Sequence, residues 1–373
     1  MDYFSSPKQI PFFGVARQNQ LLRDKITPVI QNTLNTGVLV NGPSVKQFEE
    51  EMAARLNYKY AIGVASCSLA LEATFKAHTA REGEDQLDLP KLGICIPALT
   101  YKATINAAIR AGLKPVILDV NVDGIIDGSP FANGETPSFA CTVGLYGNGV
   151  GGRVAGMHHI RDAAQDWPVL RQQRPGGTAT ASFDPTKNLY GVGGGGMVFT
   201  DSEFVASFVR SWRVNGAKIL DAPGTNAKMS ELDAAVMLAK LEYFDSWQGR
   251  RRKIARYWTR ELDSYEGAVR PLYHRDNWHC HAVQKYVIEL TRVDRELLRQ
   301  YLAERGIETR IHYELPLHEM DRYARFTNPG PLSVASCLAR KVVSLPIYPE
   351  LSDSEVEHII HTVKRGIELY RTY

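Results

Sequence analysis

Short apolar runs alternate with helical stretches through the first two-thirds of the chain. Residues 20–35 carry helical spacing that stops at Gly37. Ser44-Val45-Lys46-Gln47 has the form of a capping box, and Phe48, Met52 and Leu56 follow at helical spacing. Residues 60–65 (YAIGVA) form a short run with β-branched members that stops at Ser66-Cys67-Ser68 and gives way to a helical stretch over 69–78. The same grammar predicts a strand at 93–97, a helix at 101–111 and a strand at 114–120. Four more strands are expected at 140–145, 157–162, 178–183 and 197–201. Such alternation predicts a mainly parallel sheet covered on both faces.

The pattern turns helical at Ser230, with Leu232, Val236, Ala239 and Tyr243 on one stripe, and this helix is expected to run through Arg250–Lys253 toward Tyr265. A strand at 282–290, a helix at 293–305, a strand at 308–313 and a terminal helix follow. The last helix opens with the capping box Ser352-Asp353-Ser354-Glu355 and carries the stripe Val356, Ile359, Ile360, Val363 and Ile367. We expect an α/β protein of two domains. Residues 1–248 would hold the parallel sheet, and residues 249–373 a smaller α+β unit.

The length, 373 residues, supports two domains, since single cores stop growing at about 250–300 residues. Charge is nearly balanced, at +3, which removes the broad electrostatic footprint expected of a nucleic-acid or anionic-membrane binder. The longest apolar candidate, around 93–120, is interrupted by Lys102, Arg110 and Lys114, so no spanning helix is expected. The N-terminal residues lack a basic start followed by an apolar stretch, and five widely spaced cysteines contain no C-x-x-C pair. Both point to a reducing cytoplasm rather than a disulfide scaffold.

Several positions are candidates for chemistry. Ser66-Cys67-Ser68 lies between a strand and a helix, where unpaired N–H groups suit a phosphate, although serine is also a common N-cap. Asp162 stands at the C-terminal end of a predicted parallel strand, where α/β folds bind ligands. Lys187 follows Ser182 in a polar turn, and a desolvated lysine there can form a Schiff base, although most lysines are simply exposed. The glycines at 191 and 193–196 are not a P-loop, because no Gly-Lys-Ser/Thr follows; they read as a tight hairpin. His279-Cys280-His281 would put two imidazoles on one strand face, but no further ligand stands at zinc-like spacing, so no metal site is expected. Arg250-Arg251-Arg252-Lys253 reads as a solvated helix face.

Taken in order, these parts resemble a fold-type I pyridoxal phosphate enzyme, and more closely the DegT/DnrJ/EryC1/StrS family of sugar aminotransferases. The markers are NTGVLVNGPSVKQFEEEMA, ASCSLALEA, IPALTYKATINAAIRAGLKPVILDV, RDAAQ, SFDPTKNLYGVGGGG, GTNAKMSELDAAV, GIETRIHYELPLH and SLPIYPELSDSEV. The resemblance implies that Lys187 carries the aldehyde of pyridoxal 5′-phosphate and that Asp162 pairs with its ring nitrogen. It implies that Gln165 lies near the ring hydroxyl and that Tyr101 stacks on the ring. Ser66, Cys67, Ser68 and Ser182 match phosphate contacts. Asn226 matches a residue reaching the neighbouring subunit's phosphate, which implies a homodimer with shared active sites. The implied reaction moves an amino group from L-glutamate to a keto-sugar, usually linked to a nucleotide diphosphate, with Arg310, His312 and His318 against the donor or the sugar. Another transaminase of a cyclitol or small ketone, or a regulatory protein on the same fold, are the alternatives.

The chain departs from the family pattern at several points. Cys67 stands where glycine is usual, Arg161 where glutamate is, Asp184 where an aromatic or histidine is, and Lys228 where arginine is. The segments at 120–140 and 147–162 are short, so covering helices there are expected to be lost or reduced to loops.

Overall fold

The computed structural model describes residues 9–82, 92–127, 137–149, 154, 156–173, 177–216, 223–273, 278–327 and 330–372. Helices α1 (Val15–Leu21), α2 (Arg23–Thr36) and α3 (Pro43–Leu56) precede strand β1 (Tyr60–Val64). Then come α4 (Cys67–Glu82), β2 (Gly93–Pro97), α5 (Lys102–Arg110), β3 (Lys114–Leu118), β4 (Phe139–Val143) and β5 (His158–Asp162). A short α6 (Leu170–Gln173), β6 (Thr178–Ser182), β7 (Gly196–Thr200) and α7 (Glu203–Trp212) lead to the long α8 (Glu231–Leu262). The remainder is β8 (Val269–Pro271), β9 (Tyr286–Leu290), α9 (Arg295–Glu304), α10 (Asp321–Ala324), α11 (Ser333–Lys341), β10 (Val342–Leu345) and α12 (Asp353–Tyr370).

Seven strands form one sheet in the order β1-β7-β6-β5-β4-β2-β3. Only β7 runs against its neighbours β1 and β6; the other pairs are parallel. Side-chain alternation divides the covering helices. Ala61, Met197 and Phe199 face α3 and the first half of α8, through Phe48, Met52, Met237 and Phe244. Their neighbours Ile62, Val64 and Val198 face α4 and α7, through Ala70, Ala73, Val205 and Trp212. Both faces are therefore dry, which is why β4, β6 and β7 are buried at every position. A second core joins Ile254, Trp258 and Leu262 of α8 to Tyr286 and Ile288 of β9 and to the stripe Val356, Ile359, Ile360, Val363 and Ile367 of α12. Ile10 belongs to this second core, so the chain just before α1 packs there. Ser352 and Glu355 form the expected capping box.

Except at 308–313, the expected strands are present to within a few residues, but other details are corrected. The helix near residue 44 begins at Pro43 with Gly42 as N-cap and no side-chain cap. The Glu231 carboxylate, from the start of α8, accepts from the N–H groups of Ser44 and Val45 instead. A long-range carboxylate has displaced the local box. Of the expected α8 stripe only Val236 is fully buried, against Leu22 and Ile26; the deeper face is Ala234, Met237, Leu241 and Phe244. The helix is apolar on two sides because it is wedged between α2 and the sheet. Arg251 is not solvated. It is buried and donates from Nη1 to the Ile347 carbonyl (2.8 Å), since it faces the second core's wall.

The expected strand at 308–313 reduces to a single bridge between Arg310 and Ser344. Residues 278–280 form a 3-10 turn, so His279 and His281 do not share a strand face. Among the described residues no group of three or more histidine, cysteine, aspartate or glutamate side chains could hold a metal. No helix of the described residues is long and apolar enough to cross a membrane. The glycine run lies in a broad connection, 183–195, between antiparallel β6 and β7, and not in a tight hairpin. Among the described residues no helix lies between β3 and β4 or between residue 148 and β5; residues 128–136, 150–153 and 155 lie outside the described residues. Ile126 and Val154, from these connections, cover Cys95 and Ala140 of the sheet.

Candidate active site

Parallel strands β4, β5 and β6 deliver their C-terminal ends to one open cavity of about 510 Å³. That size lies within the usual range for a small-ligand site. Ser66, Cys67, Ser68, Tyr101, Asp162, Gln165, Ser182, Lys187, Arg310 and His312 all line it. Asn226 and His318 do not. Asn226 is exposed and bridges Val214 through its backbone. His318 places Nε2 3.1 Å from Ser336 Oγ, beside Glu319.

Each wall has a local cause. The β1–α4 turn is shaped by Ser66, whose Oγ accepts from the Leu69 N–H (3.3 Å) while its carbonyl accepts from Ala70 N (2.9 Å). That leaves the N–H groups of Cys67 and Ser68, without a partner among the described residues, to a ligand of the cavity those residues line. Gly196 of β7 makes this possible, because a Cβ there would lie 2.3 Å from the Ser66 carbonyl carbon. Cys67 presents its backbone to the turn and buries its thiol against Thr180 Oγ1 (3.8 Å). Burial first, and then the Asp162 charge, push that thiol well above its ordinary value, so it stays protonated.

Asp162 ends β5 and is buried. Its Oδ2 accepts from Thr104 Oγ1 (2.7 Å) and its Oδ1 from the Ala164 N–H (3.1 Å). Burial raises the carboxyl above its ordinary range, and these two bonds together with Lys187 oppose that rise. Arg161, the neighbour on the other face of β5, pairs with buried Asp166 at 2.6 Å. Asp166 in turn occupies the space a Cβ on Gly144 would need.

Lys187 sits in a turn built by Asp184. The Asp184 carbonyl accepts from Lys187 N (2.8 Å), and its Oδ1 accepts from Thr186 N (3.0 Å) and Thr186 Oγ1 (2.5 Å). No hydrogen bond holds the Lys187 amine among the described residues, and desolvation lowers its pKa, which favours the free-base nucleophile. The glycine loop is tied down by Asp233, whose Oδ1 accepts from Val192 N (2.6 Å), Gly193 N (2.7 Å) and Gly194 N (3.1 Å). Tyr101 is 56% exposed on the rim, its ring centroid 6.0 Å from that of Tyr313. Gln165 Oε1 accepts from Tyr146 N (2.9 Å), which turns its amide nitrogen toward Tyr313 Oη (3.4 Å). His312 bonds Ser344 Oγ (2.9 Å), and burial pulls its pKa down to about 2, so it is neutral. Arg310 is held by Glu308 at 2.9 Å.

Sequence reasoning did not single out Thr104, Tyr146, Asp166, Asp233, Lys285 or Tyr313. Thr104 had a usable signal, standing one helical turn after Tyr101. Asp166 and Tyr313 directly follow the candidates Gln165 and His312 but carry no signature of their own, and Tyr146, Asp233 and Lys285 enter from separate segments.

Residues 20–364 match the DegT/DnrJ/EryC1/StrS aminotransferase family. The chain belongs to that family. It is 32% identical over 376 residues to the erythromycin biosynthesis sensory transduction protein EryC1 of Saccharopolyspora erythraea, covering 96% of this chain and 99% of that protein. It is 29% identical to a dTDP-3-amino-3,4,6-trideoxy-alpha-D-glucose transaminase of Streptomyces venezuelae, covering 96% and 97%. Among solved structures it resembles S. venezuelae DesV in complex with ketimine intermediate, with a TM-score of 0.85 and 28% identity over 97% of this chain and 99% of that one.

The fold is thus fold-type I, the chain is an aminotransferase of this family, and its cofactor is pyridoxal 5′-phosphate. The cavity's donor set fits that group. Hydroxyls of Ser66, Ser68 and Ser182 and the α4 N-terminus suit a phosphate, an acid at the end of β5 and an amine in the turn after β6 line the same cavity, and Thr100 Oγ1 is a buried wall atom with no partner among the described residues.

Proposed function

We propose that this aminotransferase moves the amino group of L-glutamate to a keto-sugar carried on a nucleoside diphosphate, at ring position C3 or C4, and that it works as a cytoplasmic homodimer. The observation that carries the reading is the meeting of Asp162, at the end of β5, and Lys187, in the connection that follows the paired strand β6, in one cavity. When bound, pyridoxal phosphate supplies an electron sink for charge at the substrate Cα. This chain's residues do the rest. Lys187 Nζ would hold the cofactor at its aldehyde carbon and, once displaced as a free base, would move the proton of the donor's Cα to that carbon, with the reverse transfer to the acceptor's carbonyl-derived carbon in the second half of the reaction. Asp162, whose ionised form Thr104 Oγ1 and the Ala164 N–H favour against burial, would keep a proton on the ring nitrogen. Ser66, Cys67 N–H, Ser68 and Ser182 neutralise the phosphate. Tyr101 covers the ring face, Gln165 directs its amide nitrogen to the ring hydroxyl, and Asn226 serves the neighbouring subunit's phosphate.

The test is borohydride reduction of protein saturated with pyridoxal phosphate, followed by peptide mapping. Label on Lys187 is expected; its absence removes the assignment. Mass spectrometry of products from a panel of nucleotide keto-sugars, with glutamate as donor, then identifies the acceptor. The similarity to a protein named for sensory transduction favours one second reading, a regulator that keeps the cofactor without turnover. Glutamate converting the bound cofactor to its amine form excludes it.

A further inference from the structure

Lys285 immediately precedes β9 and lines the same cavity as Lys187, yet nothing in the proposed reaction uses it. It is 5% exposed. Its Nζ donates to two neutral amide oxygens, Gln284 Oε1 (2.5 Å) and Gln165 Oε1 (3.4 Å). Among the described residues no carboxylate makes an ion pair with it. Apart from Lys187, the bond-former of the proposed reaction, the other charged side chains described in the cavity already have partners. Arg310 is held by Glu308, Asp184 by Thr186, and Asp162 by Thr104 and the Ala164 N–H. An ammonium buried against amides alone lacks the counter-charge that offsets its desolvation, and a ligand cavity is where an external anion can supply it. Its position is fixed: Gln284 also donates from Nε2 to the Thr186 carbonyl (2.8 Å), and the Gln165 amide is oriented by Tyr146.

We propose that Lys285 is the cationic anchor of a carboxylate subsite beside Lys187, binding an acid group of a ligand against its Nζ. The inference deepens the aminotransferase reading and rests on it only for which reactant bears the acid: the dicarboxylate amino donor, or an acidic group on the acceptor. Burial first, and then the Lys187 charge, push the Lys285 amine well below its ordinary value; Arg251 and Arg310 act in the same sense, Asp184 opposes, and His312 is neutral. A carboxylate at Nζ opposes that shift, so any proton exchanged on binding is taken up, not released.

Calorimetry on cofactor-loaded protein tests this, using succinate and D-glucuronate as probes beside the uncharged succinamide and D-glucose, in two buffers of different ionisation enthalpy. Wild-type protein is expected to bind at least one acid over its neutral counterpart, any exchanged proton being taken up. Lys285→Gln and Lys285→Met are expected to weaken that binding about 10–100-fold and abolish any such uptake, with near-UV dichroism and Lys187 labelling unchanged. Loss for succinate alone assigns the subsite to the donor, and loss for glucuronate alone to the acceptor. Wild type that binds neither acid preferentially, or Lys285→Gln that binds both as wild type does, overturns the proposal. Glutamate conversion of the cofactor is followed separately, so failure of the reaction assignment is distinct from failure of the subsite.

Discussion

Asp162 is a carboxylate whose burial favours the neutral form. Two donors, Thr104 Oγ1 and the Ala164 N–H, and the nearby Lys187 hold it toward the ionised form. Asp162→Asn keeps the shape and removes the charge, and we expect the glutamate half-reaction to slow about a thousandfold in stopped-flow absorbance while borohydride still labels Lys187. Arg161 shows a second residue-scale arrangement. Where the family pattern has an acid, this chain has a cation in the sheet, and Asp166 supplies the opposite charge with side chains 3% and 0% exposed. Breaking a buried pair strands a charge, whereas removing both does not. Arg161→Met alone should cost about 3–5 kcal/mol, and Arg161→Met with Asp166→Asn clearly less than the sum of the singles, read from urea unfolding midpoints.

At the scale of elements, α8 organises its surroundings through residues at its first turns. Glu231 caps α3 and Asp233 ties down the glycine loop, so one helix start positions a neighbouring helix and a wall of the cavity. Glu231→Ala should destabilise the protein by about 1–3 kcal/mol, while Ser44→Ala, at the apparent local cap, should leave the urea midpoint nearly unchanged. Two turns along, Lys240 donates to the Tyr190 carbonyl (3.2 Å) and lies over the Tyr190 ring. Burial lowers its pKa from 10.5 to about 8. Between those values the folded protein has released the proton and the unfolded chain still binds it, so this residue makes stability rise with pH across that window. Relative to Lys240→Met, wild type should gain on the order of 1–3 kcal/mol between about pH 7.5 and about pH 10, measured as urea midpoints.

At the scale of the molecule, two cores share α8. We propose residues 1–248 and 249–373 as the domains, with the segment around Ile10 crossing to the second core. Asn226 lies outside its own chain's cavity, as a residue serving a neighbouring subunit would. If the dimer shares its sites, a hybrid of Lys187→Ala with Asn226→Asp carries both substitutions in one site and neither in the other. Mixing the two inactive variants and allowing subunits to exchange should therefore restore about a quarter of wild-type activity, since about half the dimers are hybrids with one intact site each. Failure to restore activity, with sedimentation showing dimers, counts against a site shared through Asn226.

While α7, β8, α11 and β10 carried no expectation, the sequence by itself determined the mainly parallel sheet, the seven strands that build it in chain order, and the places of Asp162, Lys187 and the Ser66–Ser68 turn along the chain. Those depend on short-range patterns: buried strands read as apolar runs, and strand-end residues face the crevice whatever the rest of the fold does. Tertiary structure decided the remainder. Glu231 overrode the local capping signal of Ser44, α2 gave α8 a second buried face, and the expected strand at 308–313 kept one bridge to Ser344. Lys285 and Gln165 are 120 positions apart in the chain and meet only when β9 closes against the large sheet's edge of the cavity. Contacts of that separation depend on packing geometry, which no run of neighbouring residues encodes.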